Sequence, residues 1–323
     1  MKILILLFFV LSNLGIKAQD RTKDYERFLN LENILSQNDI KILKNVEIIL
    51  VPGIVAESFI LRDHRSRVDF SILFKEYFGA QLEHYSKLKL NVARLKTSSR
   101  SKQETILSLE LKALELKKKN RPGIFITHSL GGLVVLDWLQ TLDKKTRSLI
   151  SGVVFLQSPF YGSPVADLYL ENPYFIRSVL GPVIPFLNVS TETVEYLSVA
   201  KRKKIMRSIQ DNLPEIFRGI PVLTAGGMAL NGRSLFTPTL NLFSYGCLIY
   251  RSDTCLGPVL YQGPYENSDG LVGLSSSRLP GVERVDLVNV DHGETVLQMP
   301  RSTVDRVRVT DALLKLILKQ IDK

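Results

Sequence analysis

The chain has 323 residues, 45% of them hydrophobic, and carries 42 Lys and Arg against 32 Asp and Glu for a net charge of +10. That length accommodates one large domain or two ordinary ones, and the apolar content is ample for a sizeable core. The basic residues are dispersed, and no basic run is interleaved with aromatics, which argues against a nucleic-acid groove.

Residues 1 to 18 read as a secretory signal peptide: Lys2 is the positive start, Ile3 to Leu11 the apolar core and Ile16-Lys17-Ala18 the cleavage region. The apolar run is short for a bilayer span, and no cysteine follows it to carry a lipid anchor. The expectation is an exported protein (secreted, periplasmic or cell-surface) whose mature chain, without Lys2 and Lys17, carries +8. Residues 20 to 38 then pattern as one amphipathic helix around Tyr25, Phe28, Leu29 and Leu35. A strand is expected over 45 to 51, ending in Pro52-Gly53-Ile54, then a helix over 68 to 86 and a strand over 89 to 95.

Ser101-Lys-Gln-Glu104 has the form of a capping box. It opens a helix through Leu107, Leu111 and Leu114 that Asn120 and Pro122 end. Lys117 to Lys119 complement its negative carboxyl end. These lysines, and the run from Lys201 to Lys204 (Lys-Arg-Lys-Lys), are expected on solvated helix surfaces, where they would attract anionic membranes weakly. A buried strand, Gly123 to His128, runs into Ser129 and a helix rich in Leu and Val. Another strand occupies 151 to 156. Residues 168 to 218 break the rhythm, with an apolar stretch from Phe175 to Leu187 and a basic amphipathic helix from Glu192 to Ile209. Strands over 221 to 225 and 284 to 290, a loop over 226 to 268 and a helix over 304 to 321 complete the chain. Strands alternating with helices imply a mostly parallel sheet with helices on both faces. Residues 19 to 323 read as one α/β domain with an inserted cap.

Cys247 and Cys255, in an exported chain, are expected to form a local disulfide, contributing ~2–3 kcal/mol in the chain-entropy picture. Without nearby histidines they do not form a zinc site.

Thr127-His128-Ser129-Leu130-Gly131 is one residue from the nucleophile-elbow pattern Gly-x-Ser-x-Gly, in which a strained strand-to-helix turn exposes the serine hydroxyl. Gly131 and Gly132 give the turn its space, and Thr127 stands where glycine is usual. A serine hydroxyl needs a base. His128 lies inside the turn, and His64 and His84 come early. His292 follows the last strand directly, at the same sheet edge as Ser129, and is the base expected. Asp269, in Asn267-Ser-Asp-Gly-Leu-Val272, fits the chain order Ser, acid, His. Asp253 and Asp291 compete, but Asp291 adjoins His292 and points away from it in an extended segment. The amides of Leu130 and Ile54 are the oxyanion donors expected.

Taken in order, Leu50-Val-Pro-Gly-Ile54, Thr127 to Gly132, Ser158 to Asp167, Ser268 to Ser277 and Asp291-His292 resemble the lipase branch of the α/β-hydrolase fold, and most closely secreted bacterial triacylglycerol lipases. Pro52 departs from the His-Gly-Leu usual in that branch. The resemblance implies a Ser129, Asp269, His292 triad, oxyanion donors at Ile54 and Leu130, and hydrolysis of carboxylic esters with an apolar acyl part. A thioesterase, a phospholipase or another lipid deacylase would use the same apparatus. A non-catalytic binding protein on the same fold is the alternative of another class. Many such lipases hold a structural calcium near the acid and base; here Glu294, Gln298 and Asp253 are the candidate ligands. The 168 to 218 insertion sits where these enzymes carry a lid, and covered core and mobile lid both remain open for it.

Overall fold

Six short strands form one sheet in the order β2-β1-β3-β4-β5-β6, with every pairing parallel. This is a computed structural model, and it describes residues 19–53, 77–98, 100–171, 189–229, 268–298 and 302–321. The signal-peptide segment, Ile54, His64, the Phe175 to Leu187 run, Cys247, Asp253 and Cys255 lie outside the described residues.

The strands are β1 (Glu47–Val51), β2 (Asn91–Arg94), β3 (Gly123–His128), β4 (Ile150–Leu156), β5 (Val222–Met228) and β6 (Glu283–Val288). Successive strand side chains point to opposite faces, and this sorts the apolar residues into two cores. Ile49, Val51, Phe125, Val153 and Phe155 pack on one face, against α4 (Lys102–Lys119) and α5 (Leu130–Thr141). Ile48, Leu50, Ile124, Ile126, Val154 and Leu156 pack on the other, against α1 (Thr22–Leu29), α3 (Gly79–Lys87) and α11 (Arg306–Ile321). Burial on both faces is why the central strands are continuously apolar rather than alternating.

The chain leaves β1 for β2 on one side and returns to β3 on the other. The carboxyl ends of β1 and β3 therefore meet at a switch of strand order, the usual place for a crevice in such sheets.

Several expected elements are corrected. The helix expected over 20 to 38, α1, ends at Leu29, and a further helix, α2 (Gln37–Leu43), lying almost wholly beyond that range, starts where Ser36 and Asp39 form a reciprocal capping box. Tyr77 and Phe78 precede α3 instead of lying in it, with Phe78 at φ 59°. In α4 the buried residues are Thr105, Leu109, Ala113 and Leu116, whereas Leu107, Leu111 and Leu114 are 55–61% exposed. Ser101 caps α4 through Glu104 N–H, and Asn120 ends it in the left-handed conformation. The loop expected from 226 starts later, since β5 continues to Met228.

The described part of the insertion also departs from expectation. A short α6 (Lys144–Arg147) precedes β4, and α7 (Pro164–Glu171) follows it. The basic helix expected over 192 to 209 breaks at Ser198 into α8 (Thr191–Leu197) and α9 (Val199–Ile209), because Ser198 caps the second through Lys201 N–H. A 3-10 turn, Gln210–Asn212, leads into α10 (Leu213–Ile216). Val194, Tyr196, Leu197, Met206, Ile209, Leu213 and Ile216 all join the core on the α5 side, so this half of the insertion is covered core. Arg202, expected on a solvated face, is fully buried. Its Nε donates to the Phe160 carbonyl at 3.1 Å, and its guanidinium lies 4.9 Å from the centre of the Tyr196 ring. The Tyr196 hydroxyl donates to Asp137 on α5 at 2.7 Å, and Lys102 reaches the same carboxylate at 3.0 Å.

Candidate active site

The peptide leaves β3 at His128 and enters α5 at Leu130, so Ser129 must turn the chain in one residue. It does so at φ 54°, ψ −128°, a conformation costly for any side chain and held only where its surroundings dictate it. Two contacts show what dictates it. A Cβ on Gly131 would lie 2.4 Å from the Pro52 carbonyl oxygen and 2.7 Å from that of Val51; one on Gly53 would lie 2.9 Å from the Ser129 Cβ. The end of β1 is thus packed directly on the turn. Gly132 faces the Ser158 hydroxyl just as closely. Thr127, where glycine is usual, is fully buried and donates its hydroxyl to the Val154 carbonyl at 3.1 Å, so its extra atoms are absorbed by the neighbouring strand.

The Ser129 Oγ lies 2.9 Å from His292 Nε2, and His292 Nδ1 lies 2.8 Å from Asp269 Oδ2. These three residues are 163 and 23 positions apart in sequence, and all are buried. Asp269 sits in a turn after β5 that Gly270 closes at φ 98°. Its Oδ1 accepts the N–H groups of Leu271 (3.0 Å) and Val272 (2.7 Å), which leaves Oδ2 aimed at the imidazole. The His292 backbone N–H also donates to the Asp269 carbonyl, at 2.9 Å. Leu130, as the first residue of α5, has an amide with no intrahelical acceptor beside the serine. Its expected counterpart, Ile54, lies outside the described residues.

Asp291, the competitor for the acid, instead closes its own turn by accepting from Gly293 (2.8 Å) and Glu294 (3.0 Å) N–H groups. His84 pairs with Asp311 on α11. Of the calcium candidates, Asp253 lies outside the described residues and the other two are engaged in hydrogen bonds within the protein. Glu294 Oε2 takes the Asp291 N–H at 2.9 Å, and Gln298 Oε1 takes the Arg306 guanidinium at 2.7 Å. Among the described residues no three His, Cys, Asp or Glu side chains converge as metal donors.

Two residues that hold this arrangement escaped the sequence reading. Gln157 follows β4, is fully buried at φ 50°, and places its amide behind Asp269. An amide side chain directly after a buried apolar strand, at the edge that carries Ser129, is the signal that could have found it. Tyr77, read as helix core, bonds His128 and the Gly53 N–H. Burial, with a smaller contribution from the neighbouring His292, pushes the His128 pKa well below the usual histidine range.

A parallel sheet flanked by helices, with a serine on a strained turn after its central strand, is the α/β-hydrolase fold, and the chain adopts it. Solved structures agree. A metagenomic carboxyl esterase superposes with a TM-score of 0.60 at 16% identity, covering 86% of this chain and 76% of its own. A lipase of Bacillus licheniformis in its mature form gives 0.54 at 17% identity, covering 86% and 92%. Lipase 1 of Pelosinus fermentans gives 0.50 at 11% identity, covering 87% and 99%. Likeness at such identities establishes the shared fold. No protein-family sequence model and no curated protein sequence matches the chain.

Proposed function

We propose that this protein is a serine hydrolase of carboxylic esters with an apolar acyl part, of lipase or esterase type. The observation that carries this reading is the continuous Ser129, His292, Asp269 contact on a strained turn. Ser129 Oγ attacks the ester carbonyl carbon while His292 Nε2 takes its proton. Asp269 holds the imidazole in the tautomer that leaves Nε2 free and offsets the positive charge it gains. The Leu130 amide, with that of Ile54 by resemblance, stabilises the tetrahedral oxyanion. Collapse expels the alcohol, which receives the proton from His292. Water, deprotonated by His292, then attacks the acyl-enzyme, and the acid leaves as Ser129 regains its proton.

The apolar sequence from Phe175 to Leu187 supports an apolar acyl group. So do the names of fold neighbours, a carboxyl esterase and lipases. Export after removal of residues 1 to 18 is proposed on the Lys2 start and the apolar core that follows.

Ser129→Ala tests the reading: p-nitrophenyl ester hydrolysis falls by at least ~10⁴-fold with the fold intact, and a fluorophosphonate probe labels the parent protein at Ser129. A folded parent that neither labels nor hydrolyses would end the proposal and favour a binding protein on the same fold.

A further inference from the structure

We propose that Tyr77 and His128 are positioning residues that hold His292 in register with Ser129 through a one-way chain of hydrogen bonds beneath the site; this rests on the ester-hydrolase reading above.

The direction of the chain follows from its two ends. The Gly53 N–H can only donate, and it meets Tyr77 Oη at 2.9 Å. The His292 carbonyl can only accept, and it lies 2.7 Å from His128 Nε2. The proton of the His128 ring is therefore on Nε2. A neutral ring then presents a lone pair at Nδ1, 2.6 Å from Tyr77 Oη. Tyr77, having accepted from Gly53, gives its own proton there. Every link from Gly53 to His292 then runs in a single direction.

A protonated His128 would break that order. Its Nδ1–H and the Gly53 N–H would both point at Tyr77 Oη, and the phenol proton would lose its acceptor in a buried site. It would also put a positive charge on a ring whose centre is 4.8 Å from that of His292, the ring that takes up a proton in each turnover. Near-full burial of both Tyr77 and His128 keeps water from replacing either bond.

The chain joins the three parts that hydrolysis must keep together. Gly53 lies two residues past the end of β1, packed on the serine turn. His128 precedes Ser129 by one rigid peptide unit. His292 is the base. Apart from the Nε2 contact with Ser129 itself, its bonds from the backbone N–H and from Nδ1 both run to Asp269 and so belong to the acid loop. The His128 bond instead ties the backbone of the base to the strand that carries the nucleophile. It bridges 164 positions of sequence and thereby sets the Ser129 to His292 spacing.

The test uses the full mature protein with Tyr77→Phe, His128→Phe and His128→Gln, the last retaining an N–H near the Nε2 position. For a p-nitrophenyl ester, Tyr77→Phe and His128→Phe lower kcat by roughly 10- to 100-fold, as small misplacements of reacting groups do, with KM changed less than about threefold. Fluorophosphonate labelling of Ser129 slows by a similar factor but still reaches completion, and His128→Gln recovers most of the loss. Folded Phe variants with the parent kcat, or with the whole loss in KM, would overturn the proposal. A parent that neither labels nor turns over would instead be a failure of the hydrolase reading itself. Should the variants not fold, ¹⁵N NMR of the histidines in the unaltered protein decides: His128 neutral with its proton on Nε2 is the expected state, and an Nδ1–H or doubly protonated ring at neutral pH overturns it.

Discussion

Gln157 donates one amide to two acceptors behind His292, Asp269 Oδ2 at 3.1 Å and the Asp291 carbonyl at 2.8 Å, while its Oε1 takes the Thr295 hydroxyl at 2.7 Å. The left-handed backbone at Gln157 is what turns that side chain inward from the end of β4. Gln157→Leu preserves bulk but strands all three partners in a dry site. The expected cost is ~2–4 kcal/mol of stability and a fall of roughly tenfold in kcat as Asp269 loses a constraint. Gln157→Glu sets a second carboxylate against Asp269 and should cost more on both counts. Urea unfolding and steady-state kinetics on the two variants check this; equal behaviour of Leu and Glu would show that charge at this position does not matter.

Gly131 is the second residue of α5, and on helix propensity alone Gly→Ala there would gain up to about 1 kcal/mol. The structure reverses the sign. The added Cβ would meet two backbone carbonyls, of Val51 and Pro52, which cannot swing aside as a side chain would. Gly131→Ala is therefore expected to destabilise by ~2 kcal/mol or more and to lower activity by pushing the end of β1 off the serine turn. A thermal midpoint at or above that of the parent would contradict the close packing.

Asp167 caps α9 by accepting the Val199 N–H at 3.2 Å. Burial raises its pKa from 3.8 to about 6, and the nearby Glu171 adds to the rise. Between those values the folded protein holds more protons than the unfolded chain, so stability falls as pH rises through that window and is flat above it. Asp167→Asn keeps an acceptor for Val199 and removes the buried charge. It is expected to raise stability by about 1 kcal/mol at neutral pH, solvent screening of the partly exposed carboxyl reducing the effect, and to abolish this part of the slope. Urea midpoints taken on both sides of the window measure it; an unchanged slope in the variant would rule Asp167 out as the source.

Arg202 anchors the second half of the insertion to the sheet. Arg202→Ala removes the bond to Phe160 and the packing on Tyr196, and is expected to cost ~3 kcal/mol. Arg202→Met refills the volume and should cost clearly less. Limited proteolysis within residues 191 to 209, sped up in the alanine variant and little changed in the methionine one, would place the effect in α8 and α9. A uniform rise in cleavage over the whole chain would argue for global destabilisation instead.

The order of strands and helices, the parallel sheet and the three residues Ser129, Asp269 and His292 could be read from the chain alone. Each leaves a local mark: an apolar run, a glycine pair beside a serine, an Asp-Gly turn, a histidine just past a strand. Local marks also located the Ser101 cap and the stop at Asn120. They misjudged the segments around two serine caps, because apolar spacing continues smoothly across both: the first expected helix ends well before Ser36, and the second breaks at Ser198. They also followed α4 along Leu107, Leu111 and Leu114, which are exposed, and put Arg202 on the surface. Which face of a helix is covered depends on what packs against it, and that is not a property of the helix. The bonds from Tyr77 to His128, from His128 to His292 and from Gln157 to Asp269 join residues 51, 164 and 112 positions apart. Polar groups so distant meet only once the two cores have closed around the sheet and excluded water, so only the tertiary structure could decide who holds the base in place.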